Sequence, residues 1–136
     1  QKLPARREDR TVPCGSETIL IAEDERAVLD VARRTLEAQG YTVLAAARPE
    51  VAEVLFARHL DEVALLLADV VMPVCSGRAL YERLTAERPL LKVLYMSGYT
   101  GNAVVRHGVL NRSTPFIQKP FSPDTLARKV RAVLEG

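Results

Sequence analysis

The sequence predicts an α/β fold: a doubly wound parallel sheet of five strands, each followed by a helix. Three observations carry that reading. Five short apolar runs recur along the chain, at residues 18–22, 41–46, 63–68, 92–96 and 114–118. These runs are nearly continuous in apolar residues, as strands covered on both faces should be. Stretches of helical period lie between them, and no short repeats or low-complexity tracts interrupt the β-α alternation.

The elements follow in order. The first run gives way to Glu23-Asp24-Glu25, after which Val28, Val31, Ala32 and Leu36 share one face of a first helix. Gly40 stands where a C′ glycine ends that helix. The second run leads into Ala46-Ala47-Arg48-Pro49, and the third into Asp69 followed by Val70-Val71-Met72-Pro73. Ser76 is placed to cap the third helix, and Thr100, just beyond Ser97-Gly98, to cap a fourth. Ser122 reads as the N-cap of the last helix with Pro123 at N1, where a missing N–H costs nothing. Leu126, Val130, Val133 and Leu134 then make its apolar stripe.

Length and charge narrow the function. A chain of 136 residues is one domain's worth and can bury a core without disulfides or metal staples. Its excess of positive charge lies in residues 1–16, where Lys2, Arg6, Arg7 and Arg10 face only Glu8 and Asp9. With two prolines and no apolar period, that segment reads as a linker or a severed end, leaving the domain at 17–136. The domain carries equal numbers of basic and acidic residues, which argues against a surface for direct nucleic-acid binding. No apolar run approaches the ~18 residues of a membrane span, and the charged start lacks a signal-peptide core. Cys14 and Cys75 are too few for a disulfide framework. The expectation is a cytoplasmic domain with free thiols and no membrane contact of its own.

Ligands of open α/β sheets bind beyond the carboxyl ends of the strands, where strand order reverses. Four of the five strand ends deliver a polar, reactive side chain to that rim: Glu23-Asp24-Glu25, Asp69, Ser97 and Lys119. The exception, after the second strand, sits at a sheet edge if the order is 2-1-3-4-5. Each has a plainer reading. The acidic run can cap the first helix and complement its dipole, Asp69 can be a turn aspartate, and Ser97-Gly98 is a common loop dipeptide. Lys119 resists such a reading. The chain holds 15 Arg and only 4 Lys, yet it sets a Lys between Pro115-Phe116-Ile117-Gln118 and Pro120-Phe121. A compact point charge on a flexible stem suits that position better than a guanidinium fork.

The stretches TILIAEDE, LLLADVVMPVCSGRAL, VLYMSGY and PFIQKPFSPDTLARKV occur in order over residues 17–136. Together they resemble the receiver domain of two-component response regulators. The resemblance implies a flavodoxin-like sheet of order 2-1-3-4-5 with five helices. It places the acidic pair on Glu23 and Asp24, the phospho-accepting aspartate on Asp69, and the backbone metal ligand on the carbonyl of Val71. It places the phosphoryl-binding hydroxyl on Ser97, the lysine on Lys119 and the aromatic switch position on Phe116.

The chemistry of those side chains agrees. Three carboxylates and one ammonium at one rim are a crowd of like charge. A hard divalent cation relieves it, and an oxygen-rich set without histidine suits Mg²⁺ or Mn²⁺ rather than Zn²⁺. Asp24, Asp69 and the Val71 carbonyl would bind directly and Glu23 through water. Asp69 would take a phosphoryl group from the phosphohistidine of a histidine kinase or phosphotransfer domain. The cation, Lys119 and Ser97 would each take one equatorial oxygen. The added charge would then change the surface of the fourth helix, fifth strand and fifth helix, a surface also suited to homodimers. Such a receiver supports its own phosphorylation and dephosphorylation without being a conventional enzyme.

Departures and rivals complete the reading. Val74-Cys75-Ser76 replaces a commoner Gly-Met-Ser/Asp version, and Ser97 stands where Thr is frequent. Val71 and Tyr99 occupy positions that tune hydrolysis in the family, and neither side chain positions a water well. His59 and His107 have no metal-spaced partner. A pseudo-receiver that only docks partners has no need to keep Asp24, Asp69, Ser97 and Lys119 together. A small nucleotide- or flavin-binding enzyme would need a phosphate loop, and neither GxxxxGK[ST] nor GxGxxG occurs. The stretches VLYMSGYT and TPFIQKPF look like receivers fused behind kinases. The expected parent is therefore a hybrid sensor histidine kinase, membrane-anchored or not, with this domain at its C-terminus; a stand-alone receiver is the other context.

Overall fold

The computed structural model describes residues 15–72, 75–98 and 113–136. The elements are β1 (Thr18–Ala22), α1 (Arg26–Ala38), β2 (Thr42–Ala46), α2 (Pro49–Arg58), β3 (Val63–Asp69), α3 (Gly77–Glu87), β4 (Lys92–Ser97), β5 (Phe116–Gln118) and α4 (Pro123–Glu135). The five strands form one parallel sheet in the order β2-β1-β3-β4-β5, as expected. The described residues hold four helices rather than five. The expected helix between β4 and β5, with its Thr100 cap, lies outside them, as do residues 1–14, Tyr99 and His107.

Alternation along each strand builds two cores. Leu20, Leu66, Ala68 and Tyr95 point to one face and pack with Phe56 of α2 and Leu80 and Leu84 of α3. Ile19, Ile21, Leu65, Leu67, Leu94 and Met96 point to the other, against Leu29, Ala32 and Leu36 of α1 and Leu126 and Val130 of α4. Both faces of β1 and β3 are thus covered, the physical reason their sequences are apolar throughout.

Local signals mostly act as the sequence suggests. Gly40 takes φ +100°. Its N–H donates to the Glu37 carbonyl and the Tyr41 N–H to that of Leu36, closing a Schellman motif. The hydroxyls of Ser76 and Ser122 accept the N–H groups of Ala79 and Thr125, both at 3.1 Å. The predicted face of α1 needs correction. Leu29 is buried with Ala32 and Leu36, whereas Val31 is 45% exposed and Val28 half-buried. The helical period admits either stripe; the packing of α4 beside α1 selects the one through Leu29. Two strand ends also move. Asp69 and Ser97 are the last residues of β3 and β4 rather than loop residues, because the ladder continues past them. The Val70 N–H donates to the Met96 carbonyl at 2.8 Å, and the Lys119 N–H to that of Ser97 at 2.7 Å.

Candidate functional site

Register brings the polar strand ends level. Ala22 pairs with Ala68 and Asp69 with Met96, while Ser97 pairs with Gln118. One step beyond Ala22 therefore sets Glu23 beside Asp69, and one step beyond Gln118 sets Lys119 at the same rim. Parity does the rest. Glu23 follows Ile21, Asp69 follows Leu67 and Lys119 follows Ile117 by two residues each, so all three share the α1/α4 face. Ser97 follows Tyr95 and shares the opposite face with Phe116, which is partly buried in the α2/α3 core.

The Lys119 ammonium is the centre of the site. Its Nζ lies 3.1 Å from Glu23 Oε1, 3.5 Å from Asp69 Oδ2 and 3.5 Å from Glu25 Oε1. Glu23 is completely buried and Asp69 nearly so, while Asp24 is exposed. Carboxylate oxygens of Glu23, Asp24 and Asp69 lie within 4.8 Å of one another. A cleft of about 530 Å³ opens above them, lined by Asp69, Val71, Ser97, Gly98, Lys119 and Glu25 among others. Phe116 lies apart, on a separate groove with Tyr81, Leu91 and Pro115.

The electrostatics record the crowding. Burial pushes the Glu23 carboxyl up to about 7; the Glu25 N–H, donating to Glu23 Oε2 at 2.9 Å, and Lys119 oppose the rise, and Asp69 adds to it. Asp69 is also raised, by burial first and by Asp24, against Lys119 and a hydrogen bond from the Val71 N–H. Burial alone would lower Lys119, but hydrogen bonding to Glu23 and the charges of Glu23, Asp69 and Glu25 raise it, so it stays protonated. Carboxylates held above their ordinary pKa around one ammonium are short of positive charge. The donor set is all oxygen, so the residues fit a hard divalent cation and not a soft one.

Glu25 is the N-cap of α1, yet its own side chain makes no cap hydrogen bond; the acidic run meets the start of α1 through the Glu23 carboxylate, which accepts the Glu25 N–H. The Glu25 side chain instead reaches Lys119, a contact the sequence reading missed; the available signal was its place one residue beyond the acidic pair. Gly77 was missed as well. A Cβ there would stand 2.2 Å from the Asp69 carbonyl oxygen, and the Gly77 N–H donates to the Val70 carbonyl at 3.0 Å. The start of α3 thus lies directly against the backbone of Asp69, an approach only glycine permits. Cys75 is a buried free thiol, and His59 is half-buried and paired with Glu62 at 2.8 Å. Neither joins the cluster.

A five-stranded sheet of this order, with an aspartate, a lysine and an acidic pair at its carboxyl rim, defines the receiver class of signalling domain. Comparison with known proteins agrees, and the chain belongs to the response regulator receiver domain family, whose model matches residues 19–131. It is 37% identical over 121 residues to the sensor kinase CckA of Brucella abortus (strain 2308), covering 89% of this chain and 13% of that protein. It is 32% identical over 122 residues to the transcriptional regulatory protein YvrH of Bacillus subtilis (strain 168), covering 87% of this chain and 49% of that one. The chain therefore spans less than half the length of either relative. Among solved structures, the receiver domain of the hybrid histidine kinase CckA matches with a TM-score of 0.73 and 34% identity, over 86% of this chain and 98% of that one. No helix among the described residues is long and apolar enough to cross a membrane.

Proposed function

We propose that this domain accepts a phosphoryl group on Asp69 from the phosphohistidine of a histidine kinase or phosphotransfer domain. The observation that carries the reading is the Lys119 ammonium held 3.5 Å from Asp69 at the head of a cleft that Ser97 also lines. A carboxylate oxygen of Asp69 attacks phosphorus in line with the departing imidazole. The O–P bond forms as the P–N bond breaks, and the electron pair returns to the imidazole nitrogen. Such a transfer asks for positioning and charge neutralisation rather than acid–base work. Lys119 and the Ser97 hydroxyl each take one phosphoryl oxygen. Asp24, Asp69 and the Val71 carbonyl would hold Mg²⁺ or Mn²⁺, with Glu23 behind them, and the cation supplies the remaining neutralisation. Glu23, too buried to reach the cleft, fixes Lys119 and the Glu25 backbone.

The product is an aspartyl phosphate, whose charge draws Ser97 inward. Phe116, on the same sheet face and paired in register with Tyr95, answers by repacking and reshapes the surface around β5 and α4. That surface is the one a downstream partner or second copy would read. The similarity to the receiver of a hybrid kinase supports a cytoplasmic domain within a hybrid histidine kinase. A module serving only for docking is disfavoured by the retained Asp24, Asp69, Ser97 and Lys119. The test is acetyl phosphate with Mg²⁺: intact mass should show one phosphoryl group added, and none in Asp69→Asn. Undiminished labelling in that variant would sink the assignment.

A further inference from the structure

The ammonium of Lys119 is shared by three carboxylates that differ in their freedom to leave. Glu23 is wholly buried, sits closest at 3.1 Å, and is pinned through its other oxygen by the Glu25 N–H. Asp69, 9% exposed, is held by the Val71 N–H. Glu25 is 66% exposed, makes its contact at 3.5 Å, and caps nothing with its side chain. It lines the cleft together with Asp69 and is the more exposed of the two. A phosphoryl oxygen arriving at Asp69 needs a place on Lys119, and the exposed partner is released at least cost.

We infer that Glu25 is an exchangeable counter-ion for Lys119, occupying in the resting site the place the phosphoryl group takes in the loaded one. The inference rests on the phospho-acceptor reading above. Glu25 acts through Lys119 and is a positioning residue rather than a catalytic one. It steadies the ammonium before phosphorylation and competes with the incoming anion, so it sets a threshold for loading. Because no side-chain cap is lost, Glu25→Gln removes the competition without undoing the start of α1.

The test measures beryllium fluoride binding to the full chain in saturating Mg²⁺, since this anion mimics a phosphoryl group on a carboxylate. In Glu25→Gln the apparent dissociation constant should fall about twofold to fivefold at low salt, the range an exposed ion pair supports. At 1 M salt, where the screening length is ~3 Å, the two proteins should converge. Asp61→Asn, an exposed carboxylate beyond the other end of β3, should change nothing. Unchanged or weaker binding by Glu25→Gln at low salt overturns the inference. An equal gain at both salt concentrations, or in Asp61→Asn, overturns it too, because the effect would not be a local charge contact. In metal-free protein, the Lys119 side-chain NMR signals should shift in Glu25→Gln whatever the phosphoryl chemistry. If they shift and binding does not, the contact is structural only and the acceptor reading stands. If wild type fails to bind beryllium fluoride or to label on Asp69, the acceptor reading fails and the inference falls with it.

Discussion

Raising the pH from 5 to 8 without metal should destabilise this domain through Glu23. The carboxyl is completely buried, and its pKa stands at about 7 against an ordinary 4.5. Between those values the folded chain keeps a proton that the unfolded chain has released, so folding binds protons. The group's contribution is best below 4.5 and declines as pH rises through the window to about 7. At roughly 1.4 kcal/mol per pKa unit, the loss is about 3 kcal/mol by pH 8. Asp69 is raised as well and works in the same direction. Urea unfolding in chelator, at several pH values, measures the effect, with Glu23→Gln isolating it. Both Glu23 oxygens accept hydrogen bonds, from Lys119 and from the Glu25 N–H, so the amide faces one donor with another and lowers stability by a constant amount. The pH slope between 5 and 8 should nevertheless flatten, as it should in wild type with saturating Mg²⁺. A Glu23→Gln slope equal to that of metal-free wild type would refute the reasoning.

Three further outcomes follow from the geometry. Asp24→Ala removes one of the three clustered carboxylates, and Mg²⁺ affinity in a titration should fall at least tenfold, about 1.4 kcal/mol; unchanged affinity would remove Asp24 from the metal site. Gly77→Ala drives a methyl group to 2.2 Å from the Asp69 carbonyl, so α3 must shift. A cost of about 1–3 kcal/mol in denaturation and slower labelling of Asp69 are expected; a variant as stable as wild type would show that the approach is slack. Ser97→Ala should weaken the switch by about 1.5–3 kcal/mol. Beryllium fluoride would then still shift amide signals near Asp69 but move those near Phe116 less, and full-sized shifts at Phe116 would show that the hydroxyl is not the lever.

Much of this is legible in the sequence. Unbroken apolar runs declare strands buried on both sides, and Gly40, Ser76, Ser122 and Pro123 declare helix ends, because those signals act within a few residues. One position of the α1 stripe was misread, for the opposite reason: Val28, Ala32 and Leu36 do pack on the core, but Leu29 takes the place given to Val31. Val31 and Leu29 both satisfy a helical period, and only the position of α4 distinguishes them. Gly77 escaped notice because its constraint is not a turn but the backbone of Asp69, eight residues earlier and brought near only by packing.

Local sequence carries the inventory: five strands, with an acidic run, an aspartate, a serine and a lysine at the ends of four of them. Those follow from local periodicity and from short motifs, which need no knowledge of what lies across the sheet. Tertiary structure decided how the inventory is wired. Parallel register set Glu23 level with Asp69, and strand parity turned Glu23, Asp69 and Lys119 to one face while Ser97 and Phe116 turned to the other. Only then does burial separate a carboxylate pushed up to about 7 from an exposed one two residues away that can let its lysine go. Charge, distance and solvent access belong to pairs of residues, and 96 positions separate Glu23 from the lysine it holds.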